Sequence, residues 1–425
     1  MISAEKIASI FKKYQSEGFV NISNVKSIEL SYDSFMDEIA IESEDVTWAT
    51  VSIIKDNRKA SVSIDSCSIS DIESAVSEWI SLIWLSEKDS DITMPEASWT
   101  ESGDFYNEEL SSVNVDFLKS EFKKVKKYNF KPGIKLEDYG AWYKESETFF
   151  ISSNWAYKSC RNNFYSYSIA LVWEKWDLKD SAYKFETIKK LDSLSSEEIS
   201  NLENELLDKL SPQKTDLKEW YYNVTLDRDV VSDFLSFVLS SFSAEAIREQ
   251  MGLFAWKNIW DKILSEDVTI VNDPSVPFGI WNTVFDSEWT TCKKHTLVEK
   301  WVLVSKFCDT KNSKKEWWKF LWNSTSYNII FESDKYSDDF LEGSTFLFTN
   351  LMAFHSVDTN TWNFSLNWEW YMIEDWKKTK YVKNISLSWN VKDIFNNIIS
   401  IWNDIKISSR KRIWSVTFKD WYITP

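Results

Sequence analysis

The stretch Val268-Thr269-Ile270-Val271-Asn272-Asp273-Pro274, running through Pro277 and Gly279 to Phe285-Asp286-Ser287-Glu288-Trp289-Thr290, decides how this chain is read. Its difficulty is Trp289, one of 25 tryptophans set against only 7 glycines in 425 residues. Glycine ordinarily supplies about 7% of a chain, or roughly 30 residues at this length. Glycine and tryptophan together make up about 7.5% here, which is the ordinary glycine share. Tryptophan wants its ring buried and its indole N–H bonded, whereas glycine gathers in turns beside Asn, Asp and Ser. The tryptophan neighbours are turn chemistry: Asn154-Trp155, Thr361-Trp362-Asn363, Asn367-Trp368-Glu369-Trp370, Asp375-Trp376, Ser388-Trp389-Asn390 and Trp402-Asn403-Asp404. Each reads as a hairpin or loop if the tryptophan is a glycine. The expectation is a translation-table effect, because UGA encodes glycine in some bacterial lineages and tryptophan in others. Trp79 and Trp84 fit least, lying in a helical pattern where glycine costs about 1 kcal/mol relative to alanine. The competing reading is a tryptophan-rich carbohydrate-binding protein with indole platforms.

The remaining composition is that of a folded chain, 43% hydrophobic and 27% charged, with a length that suggests two or three domains. A net charge of −17 argues against a nucleic-acid or anionic-membrane partner. The basic run Lys123-Lys124-Val125-Lys126-Lys127 reads as a solvated helix face. No stretch approaches the ~20 apolar residues of a membrane span, and no signal-peptide pattern is present. Cys67, Cys160, Cys292 and Cys308 are scattered without a disulfide framework. The expected location is the cytoplasm.

Three segments are expected. Residues 1–95 form an α/β unit: an opening helix with Ile7, Ile10, Phe11 and Tyr14, an alternating strand over Val25–Tyr32, and two strands joined at Asp56-Asn57-Arg58-Lys59. A Ser70/Glu73 capping box then opens a helix. Pro95 to Asn107 reads as a surface connection. Residues 110–212 form a central α/β segment packing with the first, with a helix at Phe117–Val125 and strands at Phe149–Ile151, Tyr165–Trp173 and Tyr183–Ile188. It ends in a helix capped by Ser195 and Glu198. Residues 220–425 form a β-rich C-terminal domain, antiparallel or barrel-like, with an early helix through Phe234 and a late one at Val391–Ile401. The class is α+β.

With glycine restored at tryptophan positions, the opening stretch resembles the "DDP…P-G…FDDEG-x-T" signature of the TldD/PmbA family. Leu297-Val298-Glu299-Lys300-Trp301-Val302-Leu303 is similar to that family's "LIE-x-GVL". His355-Ser356-Val357-Asp358 leading to Trp362-Asn363-Phe364-Ser365 is similar to its "HSG…N…GDFS". The resemblance is dense over about 265–405 and fainter, though collinear, before that. It implies a relation to peptidase complexes in which two homologous subunits pair. The TldD-type subunit carries zinc on a His-Glu-x-x-x-His helix, and the PmbA (TldE) type lacks that motif. Here the corresponding helix, Ser240-Ser241-Phe242-Ser243-Ala244-Glu245-Ala246-Ile247, has no histidine, and the chain has only His295 and His355.

Asp273, Asp286, Glu288, His355, Asp358, Asn363 and Ser365 are the candidate cleft residues of these motifs. Asp286 and Glu288 at i, i+2 read either as a paired-carboxylate acid/base site or as a tight acidic turn accepting backbone N–H groups. His355 with Asp358 reads either as a pH-tuned polar pair or as a loop-orienting one. Cys292-Lys293-Lys294-His295 with Cys308 offers zinc-type donors but no fourth ligand. No catalytic or metal-binding residue is assigned. The expectation is a PmbA/TldE-like, non-zinc subunit of a cytoplasmic metallopeptidase complex that degrades unfolded peptides. Zinc would sit in a TldD-like partner in a heterodimer or higher assembly, with a homodimer as the other option. The alternative function is a stand-alone peptidase or hydrolase with an unrecognised site.

Overall fold

The structure, a computed structural model, describes residues 2–92, 94, 101–175, 178–213, 218–264, 268–315, 323–334, 336–338, 342–351, 362–391, 397–408 and 411–423. Helix α1 (Ala4–Lys13) is capped by Ser3, whose hydroxyl accepts from the Lys6 N–H, and buries Ile7, Ile10 and Phe11. Strands β1 (Glu17–Asp33), β2 (Glu38–Lys55) and β3 (Arg58–Ile64) follow as an antiparallel meander. Asp56 and Asn57, both at positive φ, make the β2–β3 turn that a two-residue hairpin requires. Helix α2 (Ile69–Leu82) is capped by Ser68, not by the expected Ser70, because Ser68 is the residue still extended when the helix begins. The expected surface connection contains a strand, β4 (Glu101–Phe105). Helix α3 (Val115–Lys126) precedes β5 (Ile134–Ser152), β6 (Tyr157–Lys175) and β7 (Leu178–Ile188), and α4 (Ser196–Leu210) starts with the expected Ser195/Glu198 box.

These seven strands form one sheet, in which β3, β2, β1, β5 and β6 are successive neighbours and both β4 and β7 pair with β6. Strands of 17 to 19 residues exceed what the apolar runs indicated. One face is covered by helices in two patches, and part of the other packs on the C-terminal half through Phe19 and Phe150. Under α1 and α2 lie Val20, Ile22, Val51, Ile53 and Ile151; under α3 and α4 lie Leu30, Tyr139, Tyr165 and Ile169. Alternation keeps the other face mixed in polarity, so simple apolar runs understate the strand length.

The C-terminal half begins with β8 (Trp220–Leu226), α5 (Arg228–Leu239), α6 (Ala244–Arg248) and β9 (Thr269–Asp273). It continues with β10 (His295–Glu299), β11 (Val302–Leu303), α7 (Thr310–Lys315), β12 (Asn328–Glu332), β13 (Phe346–Leu351), β14 (Asn363–Glu374) and β15 (Lys377–Asn390). It closes with β16 (Ile398–Ile401), β17 (Lys406–Ser408), β18 (Lys411–Ile413) and β19 (Val416–Ile423). Two six-stranded, mainly antiparallel sheets result, ordered β11-β10-β9-β12-β18-β17 and β15-β14-β13-β8-β19-β16. One core joins them around α5, whose Val231, Phe234, Leu235 and Val238 pack against residues of both sheets. No barrel closes among the described residues: β15 and β19 meet only at Leu387 and Ile423.

The late helix is corrected. Ile398–Ile401 is a strand paired with β19, as an isoleucine-rich run favours; Ile394 and Phe395 lie outside the described residues. Trp368, Trp370 and Trp389 also lie in strands β14 and β15 and not in turns. Trp155, Trp256, Trp260, Trp289, Trp301, Trp362 and Trp376 all have φ between 61° and 81°. That left-handed region costs a residue bearing a Cβ roughly 1–2 kcal/mol, and glycine nothing comparable.

Candidate functional site

Strand β9 ends at Asp273, whose carboxylate accepts from the Ser275 N–H and hydroxyl, both at 2.9 Å, and so shapes the turn at Pro274. Asp286 is buried and accepts four bonds, from the Glu288 and Thr290 N–H groups at 2.9 Å, the Thr290 hydroxyl at 2.6 Å and the Ser324 N–H at 3.0 Å. Glu288 points elsewhere, accepting from the Thr310 N–H at 2.6 Å and its hydroxyl at 2.8 Å at the start of α7. Burial is the main influence raising its pKa. Asp286 thus ties its own turn to the 324 loop, while Glu288 ties that turn to α7. Asn363 accepts from the Asn390 amide at 2.8 Å across β14 and β15. Ser365 lies in β14; His355 and Asp358 lie outside the described residues.

His295 is buried beside Lys293 and Asn323, and its pKa is lowered chiefly by desolvation. Burial raises the Cys292 thiol far above its usual range. Among the described residues no three His, Cys, Asp or Glu side chains gather as a metal site.

A cleft of about 790 Å³ lies between the uncovered face of the long sheet and the C-terminal half. The sheet supplies Val25, Trp48, Trp142, Lys144, Phe164 and Phe185; the opposite wall is Ile280–Thr283, Phe285–Ser287 and Thr325–Tyr327. Trp142 and Phe185 stack with centroids 5.4 Å apart. Strand β6 holds the two walls together. Lys158, fully buried, donates to the Trp289 carbonyl at 2.6 Å and lies 3.6 Å from Glu101. The Asn162 amide donates to the Ile280 carbonyl at 2.8 Å, and Phe150 stacks on Trp289 at 4.8 Å. Lys189 donates to the Asn162 side chain and the Phe105 carbonyl, and burial pushes its pKa down to about 8.

A second cavity, about 560 Å³, opens beside the first and shares Thr325 and Ser326 with it. Helix α5 and the turn after it line it with Ser232, Ser236, Ser240 and Ser243; Ser324 and the buried Lys411 of β18 complete it. Ser240 and Ser243 belong to the segment Ser240–Ile247, which the sequence resemblance set against the zinc-binding helix. The residues do not fit that metal: zinc takes thiolate, imidazole or carboxylate donors, and the cavity offers hydroxyls and an ammonium that would repel a cation. Sequence reasoning missed Lys158, Lys189 and Lys411. An isolated lysine reads as surface charge, and only the fold buries it; the i, i+4 serines of α5 were the available signal.

Residues 219–424 match the sequence model of the PmbA/TldA metallopeptidase C-terminal domain. A 95-residue stretch is 30% identical to an uncharacterised protein of Methanocaldococcus jannaschii, covering 22% of this chain and 23% of that relative. The fold is similar to TldE from Thermococcus kodakarensis, with a TM-score of 0.81, 16% identity and all of both chains covered. It is also similar to a Bacteroides thetaiotaomicron protein described as a modulator of DNA gyrase, with a TM-score of 0.83 and 20% identity over 99% of this chain and 98% of that one. A Thermotoga maritima protein so described gives 0.83 and 16% identity, with 99% of each chain covered.

Proposed function

We propose, since this chain belongs to the TldD/PmbA family and is peptidase-related, that it is the TldE-like subunit of a zinc metallopeptidase complex, binding peptide while a homologous partner supplies zinc and hydrolysis. The observation that carries this reading is the hydroxyl- and lysine-lined cavity at the segment that the sequence resemblance sets against the zinc helix, beside a cleft of about 790 Å³. The aromatic side chains on the sheet face suit the apolar side chains of a flexible peptide. Lys158 and Asn162 fix the distance between the cleft walls, and stacked Trp142 and Phe185 offer an apolar floor. In this arrangement the chain's own residues bind and orient substrate, and none moves a proton.

The test is co-purification from the native host with metal analysis. The expected result is a His-Glu-x-x-x-His homologue in the complex, zinc in proportion to that subunit, and peptide cleavage abolished by chelators. Stoichiometric zinc on this chain alone, or chelator-resistant cleavage by it without a partner, overturns the reading.

A further inference from the structure

We propose that the cavity between α5 and β18 is a carboxylate subsite that takes the C-terminus of a peptide lying in the adjoining cleft. The proposal rests on the peptide-binding reading above and adds the group recognised. Three parts build the site: the Ser232 and Ser236 face of α5 with Ser240 just past its end, the Ser324–Ser326 loop, and Lys411 of β18. In a chain carrying −17 net charge, none of the described residues lining this cavity is Asp or Glu. Lys411 donates to the Ser232 carbonyl, to the Ser232 hydroxyl at 3.0 Å and to the Ser236 hydroxyl. An ammonium can only donate, so both hydroxyl oxygens act as acceptors toward it; the Ser236 hydroxyl gives its own proton to the Ser232 carbonyl at 3.1 Å, and the Ser232 hydroxyl keeps its proton to give. The buried cation therefore polarises a wall of hydroxyl donors, the arrangement that favours an anion. Thr325 and Ser326 border both cavities, so an extended peptide leaving the cleft passes over them and brings its terminus to the serines.

The experiment compares two labelled flexible octapeptides of one sequence, one with a free C-terminal carboxylate and one amidated, binding to the full chain. The free acid is expected to bind at least tenfold more tightly, and Lys411→Met to reduce that ratio to about one while the amide binds as before. Equal binding of both peptides to the unmodified protein overturns the subsite and leaves the peptide-binding reading standing. No binding of either overturns the peptide-binding reading and the subsite with it. The unmodified protein decides these outcomes even where Lys411→Met fails to fold.

A separate observation carries a second proposal. We infer that Trp155, Trp256, Trp260, Trp289, Trp301, Trp362 and Trp376 are glycines in the protein as its native host makes it. All seven lie at positive φ. A positive φ is uncommon for any residue with a side chain and is an outlier for a bulky one. Trp289, Trp301 and Trp362 are also the positions at which the family motifs have glycine, so two unrelated signals agree. Trp155, Trp256, Trp260 and Trp376 are largely exposed, which a ring selected for burial would not be. The test is to read the seven codons and then map peptides from the native host. UGA codons with glycine in the peptides are expected; UGG codons, or tryptophan in those peptides, overturn the inference.

Discussion

At the residue scale the backbone conformation decides which side chain belongs. Trp155 and Trp376 are exposed at positive φ, so replacing either with glycine relieves left-handed strain without losing buried ring area. In the tryptophan-containing protein, Trp155→Gly and Trp376→Gly are expected to hold stability or raise it by up to about 1 kcal/mol, after allowing for glycine's unfolded-state entropy. Trp142→Gly, in a strand and stacked on Phe185, is expected to cost about 2 kcal/mol. Urea midpoints of the three variants check this. Lys189 gives a pH signature. Its pKa falls from about 10.4 when unfolded to about 8 when folded, so between those values the unfolded chain binds more protons and stability rises with pH. Lys189→Met is expected to remove that rising component, seen as the difference between its unfolding profile and that of the parent from pH 7.5 to 10.

At the element scale, the turn over Asp286–Thr290 depends on one carboxylate. Asp286 is buried with four donors bonded to it, so Asp286→Ala leaves those N–H groups unsatisfied and is expected to cost about 2–3 kcal/mol. Glu288→Gln keeps an acceptor for Thr310 and is expected to cost under about 1 kcal/mol. Thermal unfolding of the two variants distinguishes this structural division from a shared acid/base role, which would show instead as equal losses of peptide cleavage by the assembled complex. Elements with one strong local signal were legible in the sequence: α1 from its apolar spacing, α4 from its capping box, the β2–β3 turn from Asp56-Asn57. β4 was not, because Glu101–Phe105 carries no apolar run and is held as a strand by pairing alongside β6. The Ile398–Ile401 strand was misread because consecutive isoleucines satisfy a helical and an extended pattern equally over so few residues.

At the scale of the whole molecule, the long sheet and the C-terminal half meet through a small aromatic cluster of Phe19, Phe150, Phe285 and Trp289, with Lys158 beside it. Phe150→Ala removes its central ring and is expected to cost about 3–5 kcal/mol. Because the two halves have separate cores, that loss should also split calorimetric unfolding into two transitions. A single cooperative transition in the variant would show that the halves are coupled by other contacts.

The sequence by itself determined the α+β class, α1 with its stripe, α4 with its cap, the β2–β3 turn and the order of family motifs, since each depends on residues close together in the chain. It also showed the glycine deficit, a matter of counting. What lay beyond it was convergence. The i, i+2 carboxylates that looked paired are drawn to different partners, and lysines distant from one another in the chain are buried at the junction and in the serine cavity. Burial and hydrogen-bond partners arise from long-range packing, so only the tertiary structure could decide that Lys411 faces Ser232 and Ser236, and that the cavity they form opens beside the cleft.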